Sequence, residues 1–168
     1  MSISLNNHET RIKNLESSVS GGTGCYWITG GPSGNDIVGS SPISGGFNTG
    51  FVSRSGNTYT LQPGSYIFDY GTSCGARGEA VDAYANVTLN INGSAYLSPK
   101  MSAHAVWWNS DDVNYAAGYK SASQFTAQFV GKWWGPVNSG SGYIRITKIS
   151  LRYFRDLIKE VLGLWVSL

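Results

Sequence analysis

The sequence predicts a mainly β protein: an antiparallel β-sandwich of jelly-roll type, with a short N-terminal coiled-coil helix and a short C-terminal helix. Three observations carry this. Apolar and polar residues alternate in several short runs, and turn signals recur roughly every eight to twelve residues. Charged residues make up only 13% of the 168, about half the usual share, while Gly, Ser, Asn and aromatics are abundant. Disordered chains lack aromatics, so this composition belongs to a folded, turn-rich protein. The length suits one domain with a substantial core, plus appendages.

The N-terminal element, residues 1–19, is a heptad stalk. Leu5, Ile12 and Val19 recur every seven residues, and Met1, His8 and Leu15 share the period three positions later in the cycle. That is an a/d seam, narrow enough to bury more against copies of itself than against its own body. Arg11 precedes Ile12 and Glu16 follows Leu15, so opposite charges flank the seam and can pair between helices. β-Branched residues at a with Leu at d would favour two strands, but a polar His8 at d spoils that pattern. Three His8 imidazoles around a trimer axis read as a wet, register-setting layer rather than a metal site. An isolated helix this short is marginal in water, and the competing reading is an amphipathic helix lying on its own domain.

Ser-Gly-Gly-Thr-Gly at 20–24 reads as a hinge, and the body follows over 25–154. Tyr59 to Phe68 contains a strand, a Pro63-Gly64 turn and a second strand. Pro63 sets φ for a type II turn and Gly64 supplies its positive φ. Val87, Leu89 and Ile91 alternate with polar residues and end at Asn92-Gly93, a tight hairpin signal. Phe125, Ala127 and Phe129 alternate likewise. Tyr143 to Tyr153 is the longest strand candidate. Its apolar phase moves from Ile144 and Ile146 to Ile149 and Leu151, which predicts a bulge near Lys148. Over 155–168, Leu157, Ile158, Val161, Leu162, Trp165 and Leu168 share one helical face. Gly163 weakens that helix.

Several function classes fall away. A net charge of +2 is too small to argue for nucleic acid or an anionic membrane, and no apolar run is long enough to span a bilayer. The polar N-terminus does not read as a signal peptide, so synthesis in a cytosol is expected. Cys25 and Cys74 lack metal-ligand spacing and form no disulfide framework; buried, reduced thiols are expected. There are two histidines, His8 and His104, and no G-x-S-x-G elbow. Neither Gly30-Gly31 nor Gly45-Gly46 precedes a helix start, so neither is a phosphate cradle. The body's carboxylates are sparse: Asp36, Asp69, Glu79, Asp82, Asp111 and Asp112. The expectation is a non-enzyme with no cofactor. Asp111-Asp112-Val113-Asn114 offers hard oxygen ligands on an expected loop, but without EF-hand spacing it reads as a solvated turn.

The aromatics say more. Trp107-Trp108 and Trp133-Trp134 are adjacent pairs, and Tyr115 and Tyr119 follow Asp111 and Asp112 closely. Neighbouring strand residues face opposite sides, so one ring of each pair should face the core and the other should face outward. Exposed rings beside Asp and Asn suit a sugar-binding surface. Rings of the same kind also line subunit interfaces, and both readings stand.

The string Asn7-His8-Glu9-Thr10-Arg11-Ile12-Lys13-Asn14-Leu15-Glu16 contains the Arg-h-x-x-h-Glu pattern of short trimeric coiled coils. With the hinge and the aromatic β body after it, the chain resembles tail-fibre and receptor-binding proteins of tailed bacteriophages. That resemblance implies a virion protein and a homotrimer held by Leu5, His8, Arg11, Ile12, Leu15, Glu16 and Val19. Its stalk would dock on other virion tail proteins. Its head would bind a host-surface glycan or protein through Trp107, Trp108, Asp111, Asp112, Tyr115, Trp133 and Trp134. The chain departs from the pattern by its small size and apolar C-terminal segment. A structural or decoration protein of a phage particle is the alternative. A cellular trimeric jelly-roll lectin is a third reading, disfavoured by the absence of a leader.

Overall fold

Among the described residues, eleven strands form the body. In chain order they are β1 (Gly24–Ser33), β2 (Asp36–Phe47), β3 (Val52–Ser55), β4 (Thr58–Leu61), β5 (Gly64–Arg77) and β6 (Val81–Ile91), then β7 (Ser94–Leu97), β8 (Lys100–Ala105), β9 (Trp108–Ser121), β10 (Phe125–Trp134) and β11 (Val137–Ile149). A 3₁₀ turn, Thr49–Phe51, joins β2 to β3. The computed structural model describes residues 22–77, 81–105, 108–134 and 137–150. The predicted stalk at 1–19, the C-terminal helix at 155–168 and Trp107 lie outside the described residues.

All pairings are antiparallel. β1 pairs with β11, β4 with β10, β5 with β9, and β6 with β8. Early strands are thus matched with late ones in nested order, which is a hairpin rolled onto itself: the jelly roll the alternation predicted. β5 also pairs with β11, and β6 with β10. These links complete two layers, β2-β1-β11-β5-β9 and β3-β4-β10-β6, with β7 and β8 sharing the far edge of β6. Among the described residues the layers are joined in the ladder by one pair, Val130 with Asp36.

The core between them is aromatic. Tyr66, Phe68 and Tyr70 of β5 face Phe125 and Phe129 of β10, and all five are at most 2% exposed. Ring centroids lie 5.0 Å apart for Tyr70–Phe129, 5.5 Å for Tyr66–Phe125 and 5.9 Å for Phe68–Phe129. Ile28, Ile37, Val38, Ile144 and Ile146 fill one layer's inner face; Tyr59, Leu61, Val87, Leu89 and Ile91 fill the other. The predicted alternations at Val87–Ile91 and Phe125–Phe129 are therefore core faces. Asn92 and Gly93 both take positive φ, 50° and 78°, as a two-residue type I′ hairpin requires.

Three local expectations are corrected. Gly64 has φ of 156°, far from the value near 80° of a type II turn, and Pro63-Gly64 carries the chain between layers. No bulge occurs at Lys148: the β11–β5 register is unbroken from Gly142 to Ile149, and its irregularity lies between Ser139 and Gly142. Gly142 sits where a Cβ would be 2.0 Å from the Ile37 carbonyl oxygen, so only glycine lets β2 pass there. The apparent phase change arises because Lys148 itself occupies the inner face after Ile144 and Ile146, 7% exposed, while Ile149 faces out. The third correction concerns Asp111 to Asn114, which lie within β9. Its fourteen-residue pairing with β5 overrides their turn propensity.

Two outcomes follow from this core. Burial lowers the Lys148 ammonium below its usual value of 10.5, so its charged form is penalised in the fold. Lys148→Met, similar in volume, is expected to stabilise the head by about 1 kcal/mol at pH 7. The gain should shrink as pH approaches 10.5, and calorimetry at pH 7 and 9.5 measures it. Burial also pushes Tyr66 and Tyr70 up to about 12, with Tyr115 adding to the effect at Tyr70. Unfolded phenols titrate near 10, so between pH 10 and 12 the unfolded chain holds fewer protons than the fold. The stability present below pH 10 should fall through that window by about 1.4 kcal/mol per pH unit for each tyrosine. Unchanged urea midpoints up to pH 11 would contradict this.

Candidate functional site

Strand alternation leaves one exposed face on the β2-β1-β11-β5-β9 layer. Ile28 points inward, so Trp27 points out, and its cross-strand partners Arg145 and Gly45 share its side. The indole lies over Gly45, where a Cβ would be 2.6 Å from the ring. Ile43, Phe47, Ile67 and Ile149 belong to the same face by register. These five side chains are 38–66% exposed, an apolar surface a solitary soluble domain would ordinarily avoid. A polar cluster sits within it. Tyr143 donates to Asp69 at 2.9 Å, and Arg145 forms an ion pair with the same carboxylate. Burial, helped by Asp69, pushes the Tyr143 phenol up to about 12. Cys25 is a free thiol on this face, half-exposed rather than buried as expected, and takes a contact from the Thr147 hydroxyl at 3.9 Å.

The predicted receptor residues fall elsewhere. Trp108 opens β9 opposite Arg77, and Asp111 and Asp112 pair with Cys74 and Ser73. Trp133 and Trp134 end β10 opposite Ala85 and Tyr84. β5 runs away from the end where β1 begins, since Ser65 pairs with Ile149 and Gly24 with Lys148. β10 runs with it, since Phe125 pairs with Leu61 just before β5 and packs on Tyr66. The register therefore gathers Trp108, Asp111, Asp112, Trp133 and Trp134 at the opposite end of the sandwich, on two different layers. Tyr115 lies lower on β9 opposite Tyr70 and is 38% exposed. Asp111 and Asp112 occupy successive positions of a strand rather than the loop expected of them.

A second feature had no sequence signal. On the flank, an open cleft of about 630 Å³ is lined by Ser33, Asn35, Asp36, Gly39, Arg54, Gly56 and Asn57. It lies between the tips of the β1–β2 and β3–β4 hairpins, more than fifteen residues apart in the chain. Arg54 bridges them, its guanidinium 3.1 Å from Asp36 Oδ2 and 5.7 Å from the Tyr59 ring centroid. The other Asp36 oxygen accepts the Val38 amide at 3.0 Å. Two hairpin turns and a mid-strand arginine become a site only through pairing.

No protein-family model matches the chain, and no curated protein matches it in sequence. Among solved structures, the chain is similar to murine APRIL, determined at pH 5.0. The TM-score is 0.51 at 7% identity, covering 76% of this chain and 99% of that one. That likeness is one of fold, and it agrees with the rolled antiparallel sandwich. Among the described residues, no helix is long and apolar enough to cross a membrane.

Asp36 ties two hairpins and its own turn together. Asp36→Ala should cost about 1–3 kcal/mol in urea unfolding, because it leaves a half-buried guanidinium and an amide without their acceptor. A loss under 0.5 kcal/mol would mean the ion pair is solvated and idle.

Proposed function

We propose that this chain is a homotrimeric virion head of tail-fibre type that binds a receptor, a glycan foremost, on the host surface. The observation that carries the proposal is the exposed apolar face around Trp27, Phe47 and Ile67. It is built on β1, the strand the chain enters directly after the predicted heptads. A three-stranded stalk ending at Val19 would hold three copies of β1 near one axis, where these faces can close on neighbouring copies. Trp and Phe are enriched in such interfaces, and an enclosed Arg-carboxylate-Tyr cluster would fix how the copies seat.

This arrangement leaves the opposite end of each head free. Trp108, Asp111, Asp112, Trp133 and Trp134 are the residues proposed for receptor contact there, with Tyr115 beside them. The C-terminal segment with Leu157, Val161 and Trp165 would leave from the stalk end, since residue 150 follows β11 where β1 begins. The same apolar face would equally suit a decoration protein seated on another virion component, and the oligomeric state separates the two.

Sedimentation of the full chain is expected to show three copies at micromolar concentration, and a monomer would overturn the reading. Ile12→Asn with Leu15→Asn should weaken the trimer through the stalk. Ile67→Arg should weaken it tenfold or more through the sheet face, because one charge stranded in a closed apolar interface costs upwards of about 1.4 kcal/mol. The Ile67 variant should melt as the parent does once both are monomeric.

A further inference from the structure

From the flank cleft we infer a binding site for a neutral oligosaccharide, lined by none of the aromatic residues proposed for receptor contact, although its Asn35 wall is bonded to Gly131, two residues before Trp133; this rests on the glycan-receptor reading above. The lining is hydroxyl, amide, carboxylate and guanidinium, with glycines between and no apolar side chain. That chemistry matches vicinal hydroxyls, which need donors and acceptors side by side, and gives lipid or an apolar peptide side chain nothing to bury. The lining holds one acid and one base, already paired at 3.1 Å. An acidic sugar would have to take Arg54 from Asp36, whereas a neutral one can use the remaining lone pairs and N–H groups with the pair intact.

The walls are fixed before any ligand arrives. Gly34 and Gly56 take φ of 56° and 58°, each setting its two-residue hairpin turn. The first tip is anchored to β10 by the Gly131 amide donating to the Asn35 carbonyl at 2.8 Å. The second is anchored by Gln128, whose amide donates to Thr58 Oγ1 at 2.8 Å and to Asn57 Oδ1 at 3.4 Å. Arg54 and Asp36 tie one wall to the other. Ser33 and Asn35 are exposed on the first tip, where their side chains are open to a ligand. Preorganised polar groups bind without a large ordering cost, and the volume falls within the range of small-ligand sites. With no ring to stack on a sugar, each site alone should bind weakly, on the order of millimolar. Three copies on one particle would bring binding into a useful range by avidity.

The test is a glycan array of neutral and acidic oligosaccharides probed with the intact full chain, beside the double variant Ser33→Ala/Asn35→Ala and Arg54→Met. Neutral glycans are expected to bind, with signal falling at least tenfold in the double variant while its melting temperature and sedimentation hold. Arg54→Met keeps the stem over Tyr59; if it fails to fold, the double variant alone decides. Undiminished binding in the double variant overturns the proposal, as does binding of acidic glycans only. Loss confined to Trp108→Ala or Trp133→Ala also overturns it, while leaving the receptor reading intact. Silence of the whole array removes both.

Discussion

The seam of rings between β5 and β10 is the contact on which the other pairings depend. Each layer is an edge-exposed sheet that cannot stand alone in water, and the ladder joins the two at little more than Val130 and Asp36. What holds them face to face is Tyr66, Phe68 and Tyr70 against Phe125 and Phe129, set tilted or edge-on at 5.0–6.4 Å. Buried aromatic pairs of this geometry contribute about 0.5–1.5 kcal/mol each beyond the area they bury. Because β5 also pairs with both β9 and β11, and β10 with β4 and β6, closing the seam sets the inner face of most of the roll. The tight turns and glycine passages then only have to follow it.

The parts legible in the sequence were those whose two faces differ most in polarity. Val87 to Ile91 and Phe125 to Phe129 are half-buried central strands, and Asn92-Gly93 is a turn whose residues dictate its backbone. The parts that escaped obey a different logic. β9 is an edge strand whose outer half is polar, so Asp111 to Asn114 carry turn propensity that pairing with β5 overrides. Lys148 broke the apolar pattern because its stem can line the inner face while its charge is disfavoured there. Strand β1 is masked by its glycines. The flank cleft, assembled by Arg54 from two hairpin tips, had no linear signature at all. Of the site residues read from aromatic and acidic neighbours, the structure brings five to one end of the roll, an outcome of register that spacing alone does not contain.

The outer face of the five-stranded layer shows how one surface can carry two kinds of information. Trp27, Phe47 and Ile67 favour burial without specifying orientation. Asp69, held by Tyr143 and Arg145, is directional, and a misplaced neighbour would strand a charge. Mixed surfaces of this kind discriminate between a correct seat and a merely greasy one, which a purely apolar patch would not do.

The place where the chain enters and leaves has a mechanical consequence. Gly24 pairs with Lys148, so the first and last strands begin and finish side by side. A pull applied to those two ends would peel β1 from β11 one hydrogen-bonded pair at a time. Tension between that end and the far tips of β9 and β10 instead runs along the strands and loads many bonds at once in shear. Rupture under load is set by the unfolding rate, so the head should be soft to prying at its base and stiff to traction along its length. A body tethered at one end and gripped at the other would meet force in its stiff direction.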